Sequence, residues 1–353
     1  MERATGSQHG TQMRSCFAPG PGAWSYAYNL LATGQWVPEG NETSYRAVQA
    51  AEKVCASQGG LLEQNWEKDL PASRGADQRL VYHPAHCRLM PFNGSTLVET
   101  LLAANSSLML VGDSLMYHTF YWLRCQLQMF SRMECSEKAA APGLGGFSSG
   151  TGTTFSCILG SSHSRLIYYR VNLLQWRGGP AIGTLTYLVN KFSLAKHDVL
   201  LLSVGAWYFQ QVRNGRDVIR SHLRDELQKA SAEWPALIWR EPLPSHWPGG
   251  QNRCLAQITL HAACSASSSE SNNCGALVKR DLYSEFNSSR IHIVNTHDPV
   301  LPRSDEHAAL HFWYGRSKVD FRHMDCTHYL PRSSVNRFVG TVLFNAVELA
   351  VGS

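Results

Sequence analysis

Ser114 closes the tripeptide Gly112-Asp113-Ser114, directly after the short apolar run Leu108-Met109-Leu110-Val111. A serine hydroxyl is a poor nucleophile until a base takes its proton. A candidate base lies far downstream, in Asp325-Cys326-Thr327-His328. A carboxylate three residues ahead of a histidine, in a turn, can reach one ring nitrogen. It would fix the tautomer and leave the other nitrogen facing the serine. Together the three residues could carry an acyl group on Ser114. Neither motif decides alone, since Gly-Asp-Ser arises by chance in roughly one chain in ten of this length. The plainer reading makes Asp113 a helix cap, Ser114 a small turn residue, and Asp325 with His328 a loop hydrogen bond.

Placement favours chemistry. Ser107 to Val111 reads as a short buried strand, and Leu115 to Met129 has a helical pattern. A serine between them sits on a sharp turn at a helix N-terminus, where backbone N–H groups face a developing oxyanion. Asp198 to Ser203 is near-continuously apolar, as central parallel strands are. Further strands are expected over Leu166 to Leu173, Pro235 to Trp239 and Arg290 to Asn295. Helices are expected over Ser44 to Ser57, Asp217 to Glu233 and Asn336 to Val351. Thr96-Leu97-Val98-Glu99 reads as a capping box opening a short helix that ends near Asn105. Alternating strands and helices give an α/β fold with a parallel sheet, and ligands then bind at the carboxyl ends of its strands. Residues 1–30 are rich in Gly, Ser and Pro and are expected to be poorly ordered. Residues 31–352 are expected to form one domain, a catalytic one if the serine reading holds, with surface loops at 137–154 and 264–276.

The 353 residues suit one large domain, and 44% apolar residues exclude wholesale disorder. The net charge of +5 is scattered along the chain, which argues against a nucleic-acid partner. Ten cysteines, none in a CxxC pair, fit disulfides and an oxidising compartment better than a zinc ribbon. Sequons at Asn41, Asn93, Asn105 and Asn287 point the same way. No metal site is expected. His83, His86 and Cys87 read as structural, and His307 with His311 lacks the HExxH glutamate. The first thirty residues hold no apolar signal region, and no membrane anchor is present in this sequence.

Taken in order, the motifs resemble the plant trichome-birefringence-like (PC-esterase) proteins of the GDSL/SGNH superfamily. Gly34-Gln35-Trp36-Val37 is similar to that family's opening G-x-W-V, and Pro84-Ala85-His86-Cys87 with Leu89 and Phe92 to its P-x-x-C-x-L-P-x-F. Gly112-Asp113-Ser114-Leu115 with Cys125 keeps the family spacing. Arg240, Pro244, His246, Gly249 and Cys254 resemble its R-x-x-S-P-x-H-F run. Arg303-Ser304-Asp305-Glu306-His307 resembles R-x-D-x-H, and Asp325-Cys326-Thr327-His328 with Pro331 and Asn336 resembles D-C-S-H-W-C-L-P and W-N. The likeness runs from about residue 34 to 349.

The resemblance implies an SGNH-hydrolase-like (flavodoxin-like) three-layer sandwich, with a central parallel sheet and a smaller irregular minor lobe. It implies O-acetyl transfer to polysaccharide or glycan hydroxyls in the Golgi lumen or secretory pathway, with an upstream signal or anchor missing from this sequence. Ser114 would carry the acyl group, His328 would act as base and then acid, and Asp325 would orient His328. Ser114 and Gly205 would offer oxyanion donors, and Arg240 and His246 would bind substrate. No tightly bound cofactor is implied; acetyl-CoA or another acetyl ester would be the donor. Five cysteines (Cys55, Cys87, Cys125, Cys254 and Cys326) stand where the family has them. A carbohydrate O-acetylesterase with the same triad and a catalytically silent glycan-binding protein are the alternatives.

The departures fall near the nucleophile. Tyr117 and His118 stand where the family has Arg-Asn. Ser203-Val204-Gly205-Ala206-Trp207-Tyr208 replaces N-T-G-H-W-W, so an oxyanion-hole side-chain donor is lost or replaced. The ten Trp and thirteen Tyr could supply sugar-stacking surfaces, but sequence does not pick among them.

Overall fold

The structure is a computed structural model. It describes residues 13–19, 23–38, 50, 80–138, 152–171, 185–203, 233–244, 291–303, 329 and 333–352. The expected helices over Ser44 to Ser57 and Asp217 to Glu233 fall almost entirely outside the described residues, as does the 264–276 loop.

Strand β3 (Leu108–Gly112) is buried along its whole length. Its side chains alternate between two faces, and both faces are covered, which is why the run is continuously apolar. Leu108 and Leu110 join one core with helices α2 (Gly94–Ala103), α3 (Ser114–Leu127) and α6 (Ser334–Gly352). Met109 and Val111 join a second core with α4 (Leu185–Phe192) on the opposite face. Helices on both faces of a mostly parallel sheet make the α/β layering that the alternation of elements predicts.

The sheet has seven strands in the order β4-β5-β6-β3-β7-β8-β9. The parallel strands are β6 (Arg165–Arg170), β3, β7 (Val199–Ser203), β8 (Ala236–Arg240) and β9 (Ile291–Val294). Chain order within that set reads second, first, third, fourth, fifth. From β3 the chain moves to one side, toward β6; from β7 it moves to the other, toward β8. The reversal falls between β3 and β7, where Gly112 pairs with Ser203. In doubly wound sheets that crevice is where ligands bind.

The antiparallel hairpin β4 (Met133–Lys138) and β5 (Thr154–Leu159) completes the sheet on the β6 side. It flanks and overlaps the stretch read as a loop over 137–154. The sequence hid it because β4, Met-Glu-Cys-Ser-Glu-Lys, is a solvent-facing edge strand with little apolar signal. Cys135 lies directly opposite Cys157, and the two form a disulfide.

A second disulfide joins Cys16 to Cys87. With the buried Cys16 and Phe17 it ties down part of the N-terminal stretch expected to be loose. Helix α1 (Ala23–Leu31) lies there too, burying Ala27, Tyr28 and Leu31 and covering strand β9. The Gly and Pro content marks the stretch's turns, but Cys16, Phe17, Ala27, Tyr28 and Leu31 are buried in packing. A small antiparallel sheet pairs β1 (Gly34–Pro38) with β2 (Leu80–Pro84). Helix α6 holds this region: Ser334 Oγ accepts from Leu80 N at 3.0 Å, and the Asn345 amide exchanges two hydrogen bonds with the Met90 backbone. Helix α2 starts two residues before the expected capping box. Asn93 is its N-cap and accepts from Thr96 N at 3.2 Å, while Ser95 bonds Glu99. Among the described residues no helix is long and apolar enough to cross a membrane.

Candidate functional site

Ser114 is the first residue of α3, partly buried, at the carboxyl end of β3. Asp113 is the N-cap, and its carboxylate accepts from Leu115 N at 3.0 Å. The turn is held from below. Tyr168 is fully buried, and its hydroxyl donates to the carbonyls of Gly112 (3.1 Å) and Asp113 (2.9 Å). Val171 N also donates to Gly112 O, and Tyr117 N to Asp113 O. Gly112 has no room for a side chain: a Cβ there would meet the Ser203 carbonyl and sit 2.7 Å from Met116 Cβ. Glycine lets β3 and β7 close on each other beside the serine.

Beneath α3 lies a buried cation. Arg240 ends β8, is fully buried, and donates to Ser203 Oγ at 3.0 Å and to Thr119 Oγ1 at 3.3 Å. Burial pulls its pKa down to about 10, and the Asp113 carboxylate works against that shift. The guanidinium therefore ties the end of β7 to α3 and balances the charge of the N-cap. Both hydrogen bonds go to protein hydroxyls, and these contacts organise the site from below. Ser203 accepts from Arg240, which leaves its own proton to be donated.

Asp325, His328, Gly205 and His246 lie outside the described residues. Two neighbours bear on them. Tyr329, directly after His328, is buried, and its hydroxyl donates to Pro244 O at 2.8 Å. Pro244 follows β8, so the residue after His328 is anchored at the carboxyl end of the sheet. Other motif residues meet as well. Trp36 Nε1 donates at 2.7 Å to the carbonyl of Pro299 in the short helix α5 (His297–Val300), and the Arg303 guanidinium lies 4.7 Å from the Trp36 ring. Cys87 is in a disulfide, so the His83, His86 and Cys87 trio offers no thiolate to a metal. Cys125 is disulfide-bonded as well.

Two supporting residues escaped sequence reasoning: Tyr168 and Thr119. Ser203 stood out in the sequence as the start of the stretch replacing N-T-G-H-W-W, and the structure adds its hydrogen bond from Arg240. Tyr168 and Thr119 carry no local signal, since each matters only through a partner on another element. The chain matches no family model and no curated protein sequence.

Proposed function

We propose that the protein is an O-acetyltransferase acting on polysaccharide or glycan hydroxyls through an acyl-serine on Ser114. The observation that carries this reading is the position of Ser114. It opens a helix at the crevice between β3 and β7, above a buried Asp113 and Arg240. A helix N-terminus favours the negative charge of a tetrahedral intermediate. The second-first-third-fourth-fifth strand order is compatible with an SGNH-like, flavodoxin-like sandwich, and the anchored Tyr329 is compatible with His328 reaching the same crevice.

In this mechanism His328 takes the Ser114 proton as the serine oxygen attacks the acetyl ester. The donor's alcohol or thiol leaves with that proton, and Ser114 keeps the acetyl group. A sugar hydroxyl then attacks the acyl carbon, giving its proton to His328. The Ser114 oxygen leaves and is reprotonated. Asp325 holds the imidazole in the productive tautomer. The Ser114 backbone N–H, Gly205 and the Ser203 hydroxyl are the oxyanion donors of this reading. The donor is acetyl-CoA or another acetyl ester. The Cys16–Cys87 and Cys135–Cys157 disulfides, with Cys125 also bonded, fit a Golgi or secretory setting.

Incubation with an activated acetyl ester, with and without oligosaccharide acceptor, tests the reading. Acetylated sugar supports the transferase. Free acetate without transfer selects a carbohydrate O-acetylesterase with the same residues. Neither product, with no adduct on the protein, leaves a silent glycan binder and refutes both enzymes.

A further inference from the structure

We infer that Asn93 carries an N-linked glycan whose first sugar covers the exposed ring of Phe130, an inference that rests on the secretory setting of the reading above. Asn93-Gly94-Ser95 has the acceptor pattern for such a glycan. Asn93 is exposed and is the N-cap of α2. Its side chain accepts from Thr96 N at 3.2 Å. The group it meets is a donor, so the amide turns its oxygen to the helix and its nitrogen away. That nitrogen, Nδ2, is the atom a glycan occupies, and no described residue bonds it. A glycan on Asn93 therefore leaves the helix cap intact. In the transfer, Nδ2 attacks the anomeric carbon of an oligosaccharide held on a lipid pyrophosphate. The N–C bond forms and the C–O bond to pyrophosphate breaks. The lipid pyrophosphate leaves with that electron pair, and Nδ2 gives up one proton. The secretory pathway supplies this donor and the transferase.

A second observation says what the sugar meets. One edge of the Phe130 ring lies against Gly94, the residue after Asn93: a Cβ on Gly94 would sit 2.8 Å from Phe130 Cδ2 and Cε2. The rest of the ring faces solvent. Phe130 is 46% exposed and its neighbour Met129 41%, and no other described Phe, Tyr or Trp side chain is as exposed. The turn after α3 holds this pair in place, since Phe130 N and Ser131 N both donate to Leu127 O. An open aromatic ring thus stands beside the one residue whose amide nitrogen points outward. The negative face of the ring attracts the weakly positive C–H face of a pyranose, and the contact takes apolar area out of water.

The test uses the full chain, secreted from yeast behind a cleavable leader. Peptide mass spectrometry is expected to find a glycan on Asn93; an unmodified Asn93 overturns the inference. Asn93→Asp removes the acceptor and keeps a helix cap. Relative to its parent, this substitution is expected to lower Tm by about 2 °C more in wild type than in Phe130→Ser. The new charge is common to both backgrounds, so the difference isolates the contact between sugar and ring. Equal shifts in the two backgrounds overturn the inference. A comparison without Phe130→Ser trims every glycan to its first sugar with an endoglycosidase. Trimmed wild type is expected to melt about 2 °C above trimmed Asn93→Asp, and equal melting overturns the inference. Because the leader forces entry into the pathway, these outcomes do not depend on acyl transfer. A protein that carries the glycan but is not acetylated by 4-nitrophenyl acetate supports this inference and refutes the acyl-serine reading. One acetylated on Ser114 with Asn93 bare does the reverse.

Discussion

Substituting Asp113 by Asn isolates the charge beneath the nucleophile. Asn caps a helix about as well as Asp, so the hydrogen bond to Leu115 N survives and only the anion opposite Arg240 is lost. Arg240 is already strained by burial. Its pKa falls to about 10 even with Asp113 nearby, a shift on the order of 3 kcal/mol. Taking one partner from a contacting buried pair costs about 3–5 kcal/mol, and Asp113→Asn should fall below that range because Asp113 acts on Arg240 through space while Arg240 keeps its bonds to Thr119 and Ser203. Arg240→Met strands Asp113 instead and should cost a similar amount. With both charges gone neither is left uncompensated, so the double variant should be less destabilised than the sum by about 2 kcal/mol. Urea unfolding of wild type, both singles and the double measures this coupling. Additivity within about 0.5 kcal/mol would refute the reasoning, and the two groups would then be independent.

Three further outcomes follow from particular contacts. Burial lowers the pKa of His292 to about 4, against an unfolded value near 6.5. The unfolded chain therefore binds the proton first, and the stability present above pH 6.5 is lost as pH falls toward 4. The loss is on the order of 2–3 kcal/mol, and His292→Phe should flatten that limb in urea titrations across pH; an unchanged slope would contradict it. Replacing both Cys16 and Cys87 opens a loop of 71 residues and should cost about 4 kcal/mol. The Cys135 and Cys157 pair, 22 apart, should cost about 3 kcal/mol; the reverse ranking in reversible unfolding would count against loop length as the cause. Gly112→Ala forces β3 away from the Ser203 carbonyl and should cost about 3 kcal/mol or more, along with acylation of Ser114. A stable, active Gly112→Ala protein would show that close approach is not required.

Much of the sheet could be read because its signal is local. β3 and β7 are continuous apolar runs between turn residues, and α3 and α6 carry their own apolar pattern. What escaped has a distant cause. β4 holds its place through pairing with β5 and one disulfide, not through apolar side chains. Helix α1 begins in a Gly- and Pro-rich stretch and is stabilised by burial against β9. The same divide runs through the site. Ser114 is marked by its turn, while Tyr168 is known only from two carbonyls more than fifty residues away. Arg240 drew notice as a motif residue, but its burial under α3 follows from strand order. Sequence could not show that its hydrogen bonds run to the hydroxyls of Thr119 and Ser203.

The central claim is a covalent acetyl group on Ser114. The most direct measurement is intact-protein mass after brief exposure to 4-nitrophenyl acetate at pH 7, with the adduct located by peptide mass spectrometry. A single acetyl adduct on Ser114 is expected, lost in Ser114→Ala and much slowed in His328→Ala, and discharged when an accepting oligosaccharide is added. An adduct on another residue, or one that survives in Ser114→Ala, would contradict it.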